Sequence, residues 1–512
     1  MSWTEGYVYE VDYTAGYFPE LSALQTRWAL ASRGVRTRDL TRPSYLELGF
    51  GQGVSLAIHA AACPGSFWGT DFNPAQATTA EELVLASGSE ARVLDASFAE
   101  LAERDDVPQF DMVMLHGIWS WISPENRRVI VEIARKKLKP GGVFYVSYNV
   151  TPGWSPTVPL RHLLEVHSAR AGTEAAGILN RLDAALDFAE KLGDAGSIYF
   201  KAHPRVFERL KKMKEKPRKY LAHELLNEEW HPMPFAQIVE ELEPAKLSHA
   251  TNATLLEQLD GLHLSAEGQA LVAGISDVVL RETVRDFLTN AQFRRDYFVR
   301  GPRKLPTLVQ GELLRAFRVV LAVDPKAISL EVKGSLGTAK LQESIYAPVI
   351  EALAAEGARP KSLAELERTA KGVSFGQLVQ AVTVLLGKYN LYLVQEEADI
   401  ERARPRTRAL NRHLLDRART SSDISFLASP VTGTGVAISR LDHLLLIARA
   451  EGKQTLTEWV DHAWQLLAVQ NQRVMKEGKR LEPEDENKRE LLLQAKDLEA
   501  NRLPVFERLG VV

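Results

Sequence analysis

Glu47, Gly49, Gly51 and Gly53 stand together in Tyr45-Leu46-Glu47-Leu48-Gly49-Phe50-Gly51-Gln52-Gly53. An apolar lead-in precedes them, and Val54 to Ala62, of helical composition, follows. The glycines therefore fall where a strand turns sharply into a helix, the place where an open α/β sheet commonly receives a ligand. Glycine there permits left-handed backbone and lets a ligand come against the main chain. The spacing is Gly-x-Gly-x-Gly, not the Gly-x-Gly-x-x-Gly of a dinucleotide fingerprint. An acid at Glu47 is also a poor neighbour for a pyrophosphate. It suits a cation, such as a sulfonium amino acid. A tight turn with no ligand would use the same glycines.

Two more acids close the next strands. Asp71 ends Ser66–Asp71, where a carboxylate can accept both hydroxyls of a ribose. Asp95 ends Ala91–Asp95, within reach of an adenine amino group, and Phe72 is placed to pack on an adenine face. Taken singly, Asp71 reads equally as a helix cap, Asp95 as a turn acid and Phe72 as core. Polar anchors at three successive strand ends are harder to explain that way.

These residues need a scaffold, and the first third of the chain alternates accordingly. Strands are expected at 45–48, 66–71, 91–95, 110–116 and 143–148, with helices between them. Asn73-Pro74 and Ser123-Pro124 supply a cap followed by a proline. That order predicts a doubly wound parallel sheet.

In combination, Glu47 to Gly53, Gly69-Thr70-Asp71, Asp95 to Phe98, Phe110 to His116 and Leu138 to Gly142 resemble the class I methyltransferases that use S-adenosylmethionine. His116 to Ser123, Tyr148 to Gly153 and Tyr220 to Asn227 are similar to members with a methyltransferase regulatory domain, among them bacterial protein-lysine methyltransferases. The resemblance implies a Rossmann-like domain with S-adenosylmethionine as cofactor. Glu47, Gly49, Gly51 and Gly53 would line the methionine moiety, Asp71 the ribose, and Asp95 and Ala96, with Phe72, the adenine. His116 would face the methyl group. His116, Tyr148 and Asn149 are the candidates to orient or deprotonate an acceptor. Trp119 and Trp154 are candidate walls, Tyr13 or Phe18 a candidate cover, and His223 a member of a polar cluster with Glu224 and Asn227. Each aromatic reads equally well as core.

The 512 residues suggest about three domains: a cofactor domain over 1–160, a mostly helical regulatory or substrate domain over 161–302, and a C-terminal domain over 303–512. In the last, helix, helix and strand between 362 and 394 predict a winged-helix-like module. Its second helix, 375–388, lacks a basic residue before Lys388, so a scaffold is expected and not a DNA reader. The run Lys211 to Lys219 reads first as a solvated helix face and second as a docking surface for an acidic protein. A net charge of −3 gives no signal for nucleic acid or membrane. One cysteine, Cys63, excludes a disulfide framework within the chain, and the histidines are too irregularly spaced for a metal site. A cytoplasmic methyltransferase is expected, acting on a protein side chain with lysine first, and forming a homodimer. Transfer to a small molecule or glycan is the alternative, and a cofactor-binding module without transfer is a third reading.

Overall fold

The computed structural model describes residues 16–171 and 177–512. Its centre is a seven-stranded sheet: β1 Ser44–Leu48, β2 Ser66–Asp71, β3 Arg92–Asp95, β4 Phe110–Leu115, β5 Leu138–Asn149, β6 Leu247–Asn252 and β7 Phe293–Arg300. The order across the sheet is β3-β2-β1-β4-β5-β7-β6. Neighbours from β3 to β5 run parallel, and β7 is antiparallel to both β5 and β6. Parallel strands are covered on both faces and so read as continuous apolar runs; every residue of Phe110–Leu115 is buried. Helices α1 Ala23–Ser32, α2 Val54–Ala62, α3 Pro74–Ser87, α4 Phe98–Glu103 and α5 Pro124–Lys137 accompany the first strands. Asn73 caps α3 by accepting from Ala75 N, and Ser123 caps α5 by accepting from Asn126 N.

The expected all-parallel sheet is corrected here, and the stretch over 161–302, expected as a mostly helical domain, holds two strands of the sheet among its helices. Strands β6 and β7 lie inside that stretch and complete the sheet. Phe293 to Arg300 hides its strand character because its charges are paired, not solvated. Arg294 bonds Asp296 at 2.7 Å, Asp286 at 2.8 Å and Glu282 at 3.0 Å, and His249 meets Asp296 at 3.1 Å.

The insert between β5 and β6 is built mainly of helices, among them α6 Val158–Arg170, α7 Gly177–Asp194, α8 Pro204–Met213 and α9 Arg218–Leu226. It has its own core, centred on Leu160, Leu164, Leu182, Leu186 and Leu210.

Past residue 303, strand Arg318–Leu321 pairs with Lys361–Ser362 and Leu391–Val394, and helices Leu363–Thr369 and Phe375–Gly387 lie between them in sequence. The long helix Glu397–Arg417 packs on α2 and α3. The small-residue stretch 429–435 closes a hairpin whose strands are Phe426–Ser429 and Thr434–Ala437. Cys63 Sγ donates to Gly433 O at 2.9 Å. The C-terminal part is thus fastened to the back of the helix that follows the glycine turn.

Candidate active site

The three glycines at the end of β1 all have positive φ: Gly49 +70°, Gly51 +59° and Gly53 +72°. Their roles differ. A Cβ on Gly51 would meet nothing within 4 Å, so that face of the turn is open. A Cβ on Gly53 would stand 2.3 Å from Ala80 Cβ, so Gly53 serves the packing of α2 on α3. Asp71, at the end of β2, is almost fully buried. One carboxylate oxygen accepts from Gly51 N at 2.9 Å and the other from Asn73 N at 3.0 Å. Burial raises its pKa to about 6, against the lowering effect of those N–H donors.

Above the turn lies a cavity of about 440 Å³. Gly49, Gly51, Asp71, Phe72, Ala96 and His116 line it, as do Phe18, Asn149, Trp154 and His223. Glu47, Gly53, Asp95, Trp119 and Tyr148 do not; Tyr13 lies outside the described residues. Strand alternation explains much of this. Tyr145, Ser147 and Asn149 share one face of β5, and Tyr148 points to the other. There its hydroxyl donates to Asp296 at 2.7 Å, so it is an anchor of the buried charge network and not a cavity residue. Trp119 is fully buried among Leu46, Leu115 and Val146. Glu47 lies beneath the turn, accepts from Tyr45 Oη at 2.9 Å, and is pushed up to about 8 chiefly by burial. Asp95 is exposed, while its neighbours Ala96, Ser97 and Phe98 reach the cavity.

His116 is held firmly. Its Nδ1 is 2.7 Å from Tyr145 Oη, and the Phe18 ring stacks on it at 3.6 Å. Burial, then the charge of Arg295, keeps the imidazole neutral well below its ordinary pKa. The far wall comes from α9, where Tyr220, His223, Glu224 and Asn227 recur at helical spacing and all face the cavity. Burial lifts Glu224 to about 7, opposed by Lys216, Arg209 and Arg161. Gln292, Phe293 and Arg295, from β7 and the residue before it, complete the wall. They escaped the sequence reading together with the strand that carries them.

Comparison with known proteins agrees with this geometry. Residues 46–142 match a family model described as a methyltransferase domain, and residues 217–300 one described as a predicted methyltransferase regulatory domain. An uncharacterized protein of Synechocystis is 39% identical over 518 residues, covering 100% of both chains. The chain belongs to the class I S-adenosylmethionine-dependent methyltransferases that carry this regulatory domain. The fold of PKMT2 from Rickettsia typhi, solved in complex with AdoHcy, matches 98% of this chain and 99% of that one, with a TM-score of 0.70 and 17% identity. The chain is also 33% identical over 139 residues to a tRNA (guanine-N(7)-)-methyltransferase of Pseudomonas putida, covering 25% of this chain and 55% of that one.

The methyltransferase's cavity fits S-adenosylmethionine. The cradle at Gly51 is open, and the Asp71 carboxylate stands beside it. Among the described residues, the buried amide nitrogen of Asn149 and the indole nitrogen of Trp154 have no protein partner. When bound, the cofactor supplies an electrophilic methyl carbon; the protein's share is position, exclusion of water and management of the acceptor's proton.

Proposed function

We propose that the enzyme methylates lysine side chains of a protein. The observation that carries this reading is Glu224, a half-buried carboxylate that lines the same cavity as Asp71, together with Trp154 and Tyr220. A lysine arrives as an ammonium and must lose a proton before its nitrogen can accept a methyl group. A carboxylate lifted to about 7 is a base matched to neutral pH. The Asn149 amide nitrogen, which has no protein partner among the described residues, can fix the approach. The whole-chain likeness in fold to PKMT2 supports the same acceptor class. Residues 303–512 we read as a winged-helix-like scaffold, because helix 375–387 buries Leu378, Val382 and Leu385 and carries no cation with which to read bases.

The test is transfer of labelled methyl from S-adenosylmethionine into extract of the source cells. Label recovered from protein hydrolysate as methyl-lysine is the expected result. Label confined to small molecules or glycans would discard the reading.

A further inference from the structure

A second cavity, of about 470 Å³, adjoins the first and shares Trp154, Tyr220 and Glu224 with it. Its other walls come from α6 and α8, and they are basic. Arg161 is committed to the fold: it donates to the main-chain oxygens of Glu224 and Asn227 and lies over the Trp230 ring at 4.9 Å. Arg205, Arg209, Lys212 and Lys216 are different. None of them forms an ion pair with a described residue. Arg209 lies over the Trp154 ring at 4.1 Å and gives one bond, of 3.3 Å, to Gln292 Oε1. The rest of its fork faces the chamber. Nearby cations show what a satisfied surface looks like: Lys214 pairs with Asp187 and Glu190, and Arg218 with Asp183.

Four cations without an ion pair stand around one concavity against the two acids, Glu208 and Glu224, that also line it, and the excess positive charge would repel an incoming ammonium. The ammonium's place is at Glu224, on the shared wall. What the chamber itself attracts is an anion. A planar fork held by an aromatic face is suited to a carboxylate. Glu208 also lines the chamber, and with Glu224 it would interrupt any continuous track for a phosphate backbone.

We propose that this chamber is a specificity subsite for an Asp or Glu side chain neighbouring the acceptor lysine, with Arg209 as its principal donor. The proposal rests on the lysine reading above. Seen this way, the basic run from Lys211 to Lys219 is divided: Lys214 and Arg218 brace α7, and Lys212 and Lys216 face the substrate.

The test uses the full-length enzyme, S-adenosylmethionine, and lysine peptides in which a single Glu is walked across the flanking positions, each with a Gln counterpart. At one position or more, the Glu peptide is expected to show a KM about tenfold lower than its Gln counterpart at similar kcat, as for one charge-assisted contact. Arg209→Gln should erase that difference while leaving cofactor binding unchanged, any change of rate that reaches the peptides through Glu224 falling equally on the Glu and Gln members of each pair, and Arg209→Lys should restore part of the difference. Equal kcat/KM for Glu and Gln at every position, with lysine still methylated, would overturn the subsite and spare the lysine reading. Absence of methyl-lysine from every peptide and from cell extract would remove both. A short oligouridylate that blocks methylation of the Gln peptide at concentrations below the KM of the Glu peptides would also overturn the proposal, in favour of a nucleic-acid partner.

Discussion

Replacing Glu224 by Gln keeps the shape of the α9 wall and removes its base. A free lysine ammonium has a pKa near 10.4, so at pH 7 only about one amine in 2,500 is neutral. Passing the proton to a carboxylate at about 7 is uphill by about 3.4 pH units, or ~4.6 kcal/mol at 1.36 kcal/mol per unit. His116 lines the same cavity. It is a weaker acceptor still, because burial and Arg295 hold it well below its ordinary value. General-base assistance is typically worth 10²–10⁴. Glu224→Gln should therefore lower kcat at pH 7 by roughly 10²–10³ while cofactor binding is unchanged. The sign of the pH dependence follows from the raised carboxyl. Below about 7 Glu224 is protonated and idle, so the wild-type rate should climb through that pH and then level. In the variant the climb should continue, about tenfold per pH unit, towards the free amine's own pKa. Steady-state rates between pH 6 and 10 on a lysine peptide provide the assay. A variant that keeps the inflection near 7, or loses less than about threefold in kcat, would refute Glu224 as the base.

Asp71→Asn should weaken S-adenosylmethionine binding by ~1.5–3 kcal/mol, the loss of a charge-assisted contact. In calorimetry the wild-type affinity should also fall as pH drops below about 6, where Asp71 takes up a proton, and the variant should lack that dependence. Gly53→Ala should unfold more readily by roughly 2–5 kcal/mol, since its Cβ meets the α3 backbone and its φ is left-handed. Gly51→Ala should show the smaller stability cost and the larger loss of cofactor affinity; denaturant melts and binding on the same two proteins separate the cases. Tyr148→Phe should cost about 1–2 kcal/mol of stability, for one bond to the buried Asp296, and leave kcat unaltered.

The cofactor half of the site was legible because each of its signals is local. A positive-φ glycine, a strand-end acid and a capped helix each depend on a few consecutive residues, and β2 falls where its residues place it, at Ser66–Asp71. The errors arose where one side chain's meaning depends on distant ones. Tyr148 and Asn149 are adjacent on a strand, so only one of them can face the cavity; that much was available from the sequence, but which one faces it depends on the sheet order. Trp119 carries an indole that looks like a wall, and a long-range core takes it up. Strand β7 was hidden because Arg294 pairs with Asp296 and with two acids of helix Val278–Thr289, a pairing no local pattern reveals. Glu224 was visible at helical spacing beside His223, yet its raised pKa comes from burial that α9 acquires only on docking.

That docking bears on the meaning of the regulatory segment. Residues 217–300 contain α9, β6 and β7. They therefore supply the outer edge of the central sheet, the base proposed here, and Arg295, which acts on His116. A chain ending near residue 160 would expose the whole hydrogen-bonding edge of β5, a surface prone to pairing with other chains. It would also leave the cofactor cavity without its far wall. In this enzyme the segment forms part of the wall of the cavity above the glycine turn.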